Sequence, residues 1–78
     1  MNNSQPEYGP PNSYVEDTII DLKTGHEIAI TWSDNIEMWF LDNYTLEATA
    51  TCEYKTVQDA IAAIKNESED ICWVPYDG

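Results

Sequence analysis

No arginine occurs in this chain, and only three lysines, Lys23, Lys55 and Lys65, stand against fifteen aspartates and glutamates. The formal charge is −12 on 78 residues. A surface that negative is repelled by phosphate backbones and by anionic membranes, so direct nucleic-acid binding is not expected. Glycine is scarce too, at three residues. There is accordingly no phosphate loop, no dinucleotide fingerprint and no Gly-x-Ser-x-Gly elbow. One histidine and two cysteines, without a Cys-x-x-Cys, are too few for a four-ligand zinc site unless carboxylates join them. No apolar run approaches the roughly 20 residues that cross a bilayer. The opening residues, Met1 to Glu7, have neither the basic nor the apolar segment of a secretory signal. The expected compartment is the cytoplasm, where Cys52 and Cys72 read as two buried free thiols rather than a bridge.

What is present argues for a folded domain. Apolar residues make up 42% of the chain, with three Trp, five Tyr and one Phe. An acidic disordered tail lacks side chains of that size. At this length there is room for one domain, which buries only about 60% of its unfolded surface and needs a dense core. Residues 1–13 hold three of the four prolines and form a flexible polar leader, with Tyr8 and Tyr14 able to pin it to the body. Residues 14–78 form the single compact domain.

Periodicity within that domain predicts four strands, a helix and a fifth strand. Val15 to Lys23 is the first strand, with Ile19, Ile20 and Leu22 apolar, and Thr24-Gly25 supplies a tight turn. Glu27 to Ser33 is the second, with Ile28, Ile30 and Trp32 on one face at period two. Ser33-Asp34-Asn35 is turn chemistry, Ile36 to Leu41 the third strand, and Asp42-Asn43 the next turn. Tyr44 to Tyr54 alternates strictly: Tyr44, Leu46, Ala48, Ala50, Cys52 and Tyr54 face one way, Thr45, Glu47, Thr49, Thr51 and Glu53 the other. That is a half-buried antiparallel strand with one wet face. Thr56, with Asp59 three residues on, caps a short helix striped by Val57, Ala60, Ile61 and Ile64. Small Ala48 and Ala50 let that stripe approach the sheet. Asn66 to Asp70 is an acidic connector, and Ile71 to Tyr76 the last strand. The class is α+β: an antiparallel sheet of four to five strands with one helix on one face, in the order β-β-β-β-α-β.

Chemistry is hard to find in this pattern. His26 sits beside Gly25 in a turn and reads as solvated, whereas a general base needs an oriented, partly buried ring. Nothing matches an EF-hand loop, and Glu67, Glu69 and Asp70 read as a solvated acidic connector rather than a divalent-ion site. An enzyme is not expected, and neither a cofactor nor a metal is implied.

Two features point toward a partner. The acids are distributed through every element instead of being packed into one tail. Same-face residues of a strand lie about 6.6 Å apart, at a rise of about 3.3 Å per residue. That is close to twice the ~3.4 Å axial rise per phosphate of one DNA strand, so a sheet can display carboxylates at spacings comparable to alternate phosphates. The second feature is Ile36-Glu37-Met38-Trp39-Phe40-Leu41. With Ile36, Met38 and Phe40 against the helix, Trp39 and Leu41 form an apolar patch on the opposite face. Such patches mark contacts with another chain, and Trp is favoured at binding hot spots. The expected contact residues are Glu37, Trp39, Asp42, Glu47, Glu53, Glu67, Glu69 and Asp70. The expected partner is a basic nucleic-acid-binding protein or complex, met by a monomer or homodimer of this chain.

In size, acidity and compact α+β make-up the whole chain resembles small phage-encoded anti-defence proteins, including anti-CRISPR proteins and DNA mimics. The resemblance implies a non-enzymatic inhibitor that occupies a nucleic-acid groove, acting in the host cytoplasm if phage-encoded. The same physics suits an immunity protein or antitoxin that neutralises a basic nuclease. A structural adaptor subunit, with Trp39 in a permanent interface, is the third alternative.

Overall fold

A computed structural model describes residues 13–76. It contains β1 (Ser13–Ile20), β2 (Glu27–Ser33), β3 (Met38–Asn43), β4 (Ala48–Tyr54), α1 (Val57–Glu67), a 3-10 turn over Ser68–Asp70, and β5 (Trp73–Pro75). The strands form one antiparallel sheet in the order β1-β2-β3-β4-β5. Helix α1 lies over β2, β3 and β4. The α+β class and the element order agree with the sequence pattern. Of the expected leader, Ser13 opens β1, and the remainder lies outside the described residues.

The core forms where the period-two faces of β2 to β4 meet the stripe of α1. Ile28, Ile30, Leu41, Ala50, Ala60 and Ile64 are its buried members. Ile19, Trp39, Tyr54, Val57, Ile61, Ile71 and Trp73 pack around them. Ala50 faces this cluster with Ala60, so two small side chains allow close helix–sheet approach. The helix starts where expected: Thr56 Oγ1 accepts from Asp59 N at 3.0 Å, and Thr56 O accepts from Ala60 N at 3.2 Å. The first contact satisfies a backbone donor that a helix start leaves open, and the second is the first bond of the helix itself.

Strand ends depart from the pattern where a buried polar side chain organises a turn. β1 stops at Ile20, not Lys23, because Asp21 turns the chain. Asp21 is 4% exposed. Its Oδ1 accepts from Lys23 N at 3.2 Å and its Oδ2 from Thr24 Oγ1 at 2.6 Å. Gly25, at φ +79°, donates its N–H to Asp21 O at 2.7 Å. Leu22 is thereby carried out of the strand and is 94% exposed. Likewise Asp42 and Asn43 lie inside β3, both buried, rather than in a turn. Asn43 Oδ1 accepts from Leu46 N at 2.9 Å, while its Nδ2 sits 3.0 Å from His26 Nδ1. With Oδ1 engaged, the amide nitrogen is the donor and the imidazole accepts. His26 is therefore half-buried and bonded instead of solvated. The turn after Asn43 occupies residues 44–47, which shortens β4 at its start to Ala48.

The third strand faces the other way from the expectation. Ile36 belongs to a four-residue turn over residues 34–37 and is exposed, and β3 begins at Met38. Trp39 stands opposite Trp32 in β2 and Tyr54 in β4. Trp39 and Leu41 therefore look toward α1, and Phe40 and Asp42 toward the helix-free face. The register with β2, which sets Trp39 opposite Trp32 and Leu41 opposite Ile30, decides the face of every side chain in β3.

The expected burial of the thiols is also overturned. Cys52 and Cys72 are free and exposed. Between Phe40↔Glu53 and Asp42↔Thr49, two steps of β3 face four of β4, so the sheet is irregular there. The alternation that would bury Cys52 beside Ala50 is broken at that point.

Replacing Leu41, wholly buried, by Ala is expected to cost about 3 kcal/mol in urea unfolding, within the range for core leucines. Leu22→Ala should stay within about 0.5 kcal/mol. Equal losses for the two would contradict the assignment of the core.

Candidate partner-binding surface

Each expected contact residue has a definite place. Glu37 closes the β2–β3 turn and Glu47 the β3–β4 turn, both exposed. Glu53 is exposed on the helix-free face of β4, paired with Phe40. Glu67 ends α1, and Glu69 and Asp70 lie in the 3-10 turn, all exposed. Asp42 is different: it is 1% exposed on the helix-free face. Trp39 is half-buried on the helix side. The fold thus makes two acidic groups, Glu53 above Asp42 on one face and Glu67, Glu69 and Asp70 at the helix end. It does not bring Trp39 to the face that carries Glu53. Among the described residues no three His, Cys, Asp or Glu side chains are grouped as metal ligands would be.

Glu37 and Glu47 share an unusual backbone, each at φ +56°. An L residue in that left-handed region costs about 1–2 kcal/mol, and glycine or asparagine normally fills it. Both turns are tied in place nonetheless. Glu37 N donates to Ser33 O at 2.7 Å, and Tyr76 N donates to Glu47 O at 3.0 Å. Two carboxylates are therefore held where local preference would put neither.

Tyr14 and Trp32, which the sequence pattern did not single out as contacts, join Trp39 in an aromatic cluster. Tyr14 and Trp39 meet edge-to-face with centroids 5.9 Å apart, and Trp32 and Trp39 at 5.1 Å. Trp32 Nε1 donates to Asp34 Oδ1 at 2.7 Å. Tyr14 is 54% exposed, so the cluster is wet on the β1 side. Three rings in edge contact are worth about 0.5–1.5 kcal/mol per pair beyond area burial.

The helix-free face has a groove of about 360 Å³ whose lining includes Ser33, Ile36, Phe40, Thr49, Glu53 and Tyr76. The spacing of polar residues gave no sign of it, because its walls come from four separate segments. Beside it lies Asp42, with Thr31 Oγ1 donating to Oδ2 at 3.2 Å. Its other oxygen, Oδ1, is buried without a hydrogen bond. Loss of solvation pushes the Asp42 carboxyl above its ordinary value of 3.8, against the lowering effect of the Thr31, Tyr76 and Thr49 hydroxyls. Asp21 goes the other way. Burial raises it, but Thr24 and the backbone of Lys23 hold the carboxylate below 3.8. Ser68 Oγ approaches Asp21 without completing a hydrogen bond of its own.

Compared with known proteins, the chain matches no family model, no curated protein and no solved structure. No helix among the described residues is long and apolar enough to cross a membrane.

The two buried aspartates should respond oppositely to acid. Asp21, lowered on folding, contributes stability above pH 3.8 that disappears as pH falls through its folded value. Asp42, raised on folding, contributes a penalty that grows as pH rises from 3.8 through its folded value and then stays constant. Asp42→Asn should therefore raise the melting temperature at about pH 8 and leave it nearly unchanged at about pH 3. Asp21→Asn should lower it at the higher pH. Melting curves for both variants across that range provide the check. In a separate series, Glu37→Gly and Glu47→Gly should each stabilise by up to about 1 kcal/mol through relief of the left-handed backbone. Denaturant midpoints below that of the unaltered chain would remove the inference of strain.

Proposed function

We propose that this chain is a non-enzymatic inhibitor that occupies the basic, nucleic-acid-binding surface of a target protein, in the manner of DNA mimics and anti-CRISPR proteins. Its carboxylates pair with the Lys and Arg that otherwise hold phosphates. The observation that carries the reading is the charge of −12 displayed on a sheet-and-helix scaffold, with Glu37 and Glu47 kept at backbone positions that disfavour them. Residues held against local preference point to selection for something other than stability.

The physics of such an inhibitor is steering. A single-signed field raises the association rate with a cationic groove, and added salt weakens it. Exposed Glu37, Glu47, Glu53, Glu67, Glu69 and Asp70 supply the field from both turn ends, the sheet face and the helix end. Trp39 acts through the cluster in which Tyr14 is the accessible ring, so the apolar anchor is a patch beside β1 rather than a lone tryptophan. Like charge disfavours self-association, and the functional species in this reading is the monomer. The cytoplasm is the compartment in which such targets are met.

The test is capture at low salt from a nucleic-acid-depleted lysate, followed by a salt gradient, with and without competing duplex DNA or RNA. Proteins that bind nucleic acid should be retained, should elute with rising salt, and should be displaced by the polynucleotide. A variant with Glu47, Glu53, Glu67, Glu69 and Asp70 changed to Lys should retain none of them. Retention of the same proteins by that variant would defeat the proposal.

A further inference from the structure

The groove on the helix-free face is more specific than a charged surface needs to be. Its floor is Phe40, 7% exposed, and Ile36 forms one wall. Exposed Glu53 stands at its mouth, directly opposite Phe40 in the strand pairing. Ser33 lines the groove, is 1% exposed, and its Oγ has no hydrogen bond. Asp42 follows Phe40 on the same face, is approached by the Tyr76 and Thr49 hydroxyls, and is paired across the strands with Thr49 of the lining. A buried hydroxyl without a partner is costly in an isolated domain. It marks a place where a polar group of a ligand belongs.

Apolar walls with an acceptor at the base and a carboxylate at the mouth suit a ligand with an apolar stem and a cationic, multi-donor head. We infer that the groove formed by Ser33, Ile36, Phe40, Glu53 and Tyr76 receives an arginine side chain of the partner protein, with Glu53 pairing the guanidinium and Ser33 Oγ accepting from it. Arginine fits better than lysine because its planar head is weakly hydrated, stacks on rings such as Phe40 and Tyr76, and presents several donors at once. A second copy of this chain cannot supply the occupant, since it contains no arginine and carries the same net charge of −12. The inference rests on the partner being a basic protein, as proposed above, and gives that partner's contact a chemical identity.

The experiment is a titration of the ¹⁵N-labelled chain with N-acetyl-arginine N-methylamide, followed through amide shifts. The lysine and norleucine analogues serve as comparisons. Saturable shifts should centre on Ser33, Phe40, Thr49 and Glu53, stronger for arginine than lysine and absent for norleucine. Glu53→Gln, at an exposed position, should weaken binding roughly tenfold, as loss of a charge-assisted contact does. Ser33→Ala should weaken it more modestly, and Glu67→Gln with Glu69→Gln should leave it unchanged. Small unsaturated shifts spread over all acidic segments, or an equal response to norleucine, would overturn the inference. That failure leaves the capture result standing. Conversely, loss of capture with the arginine site intact removes the proposed function and not the groove.

Discussion

Trp32 stands opposite Trp39, and the rest of the sheet follows from that pairing. The turn between them spans four residues, 34–37, closed by Glu37 N bonding to Ser33 O. Its length fixes the parity of β3, and parity decides which half of β3 meets the helix. Leu41 and Trp39 are sent inward to Ile28, Ile30, Ala60 and Ile64. Phe40 and Asp42 are sent to the open face, where they become the floor and flank of a groove. A loop one residue shorter would exchange those roles, putting a carboxylate against α1 and a tryptophan in water. The hydrophobic effect disfavours that alternative, since Leu41 would leave the core it shares with Ile28, Ile30 and Ile64.

A tension between charge and burial runs through the molecule. Asp21, Asp42 and Asn43 are all buried. Asp21 and Asn43 are well served by turn backbone, and each organises a loop on which strand ends depend. Asp42 has one oxygen engaged and one not. A fold of this size has little stability to spare, and an incompletely satisfied buried carboxylate draws on it. The two strained glutamates have the same character. Each gives up backbone comfort to put an anion at the end of a hairpin.

The departures from the sequence pattern share one cause. Local pattern identified β2, the face Ile28-Ile30-Trp32, the helix stripe and the Thr56 cap, because each depends on neighbours a few residues away. It failed for Leu22, for Asp42-Asn43, for Cys52 and for the face of β3. Leu22 leaves the strand because Asp21 finds four partners within five residues. Asn43 stays in the strand because His26 and Leu46 lie where its amide can reach. Cys52 is exposed because β3 and β4 slip out of register beside it. Side-chain-to-loop hydrogen bonds and strand slippage are cooperative across segments and leave no periodic trace.

Local pattern alone determined the α+β class, the number of strands, the helix and its start, and the dominance of negative charge. These are set by alternation, capping and composition, all readable along the chain. Tertiary structure alone decided which face Trp39 occupies, that Glu37 and Glu47 sit in left-handed turns, and that Ser33, Phe40, Glu53 and Tyr76 share one groove. Strand register and the closure of separate segments around a common space are properties of the assembled sheet, because each depends on how far one strand slides against the next.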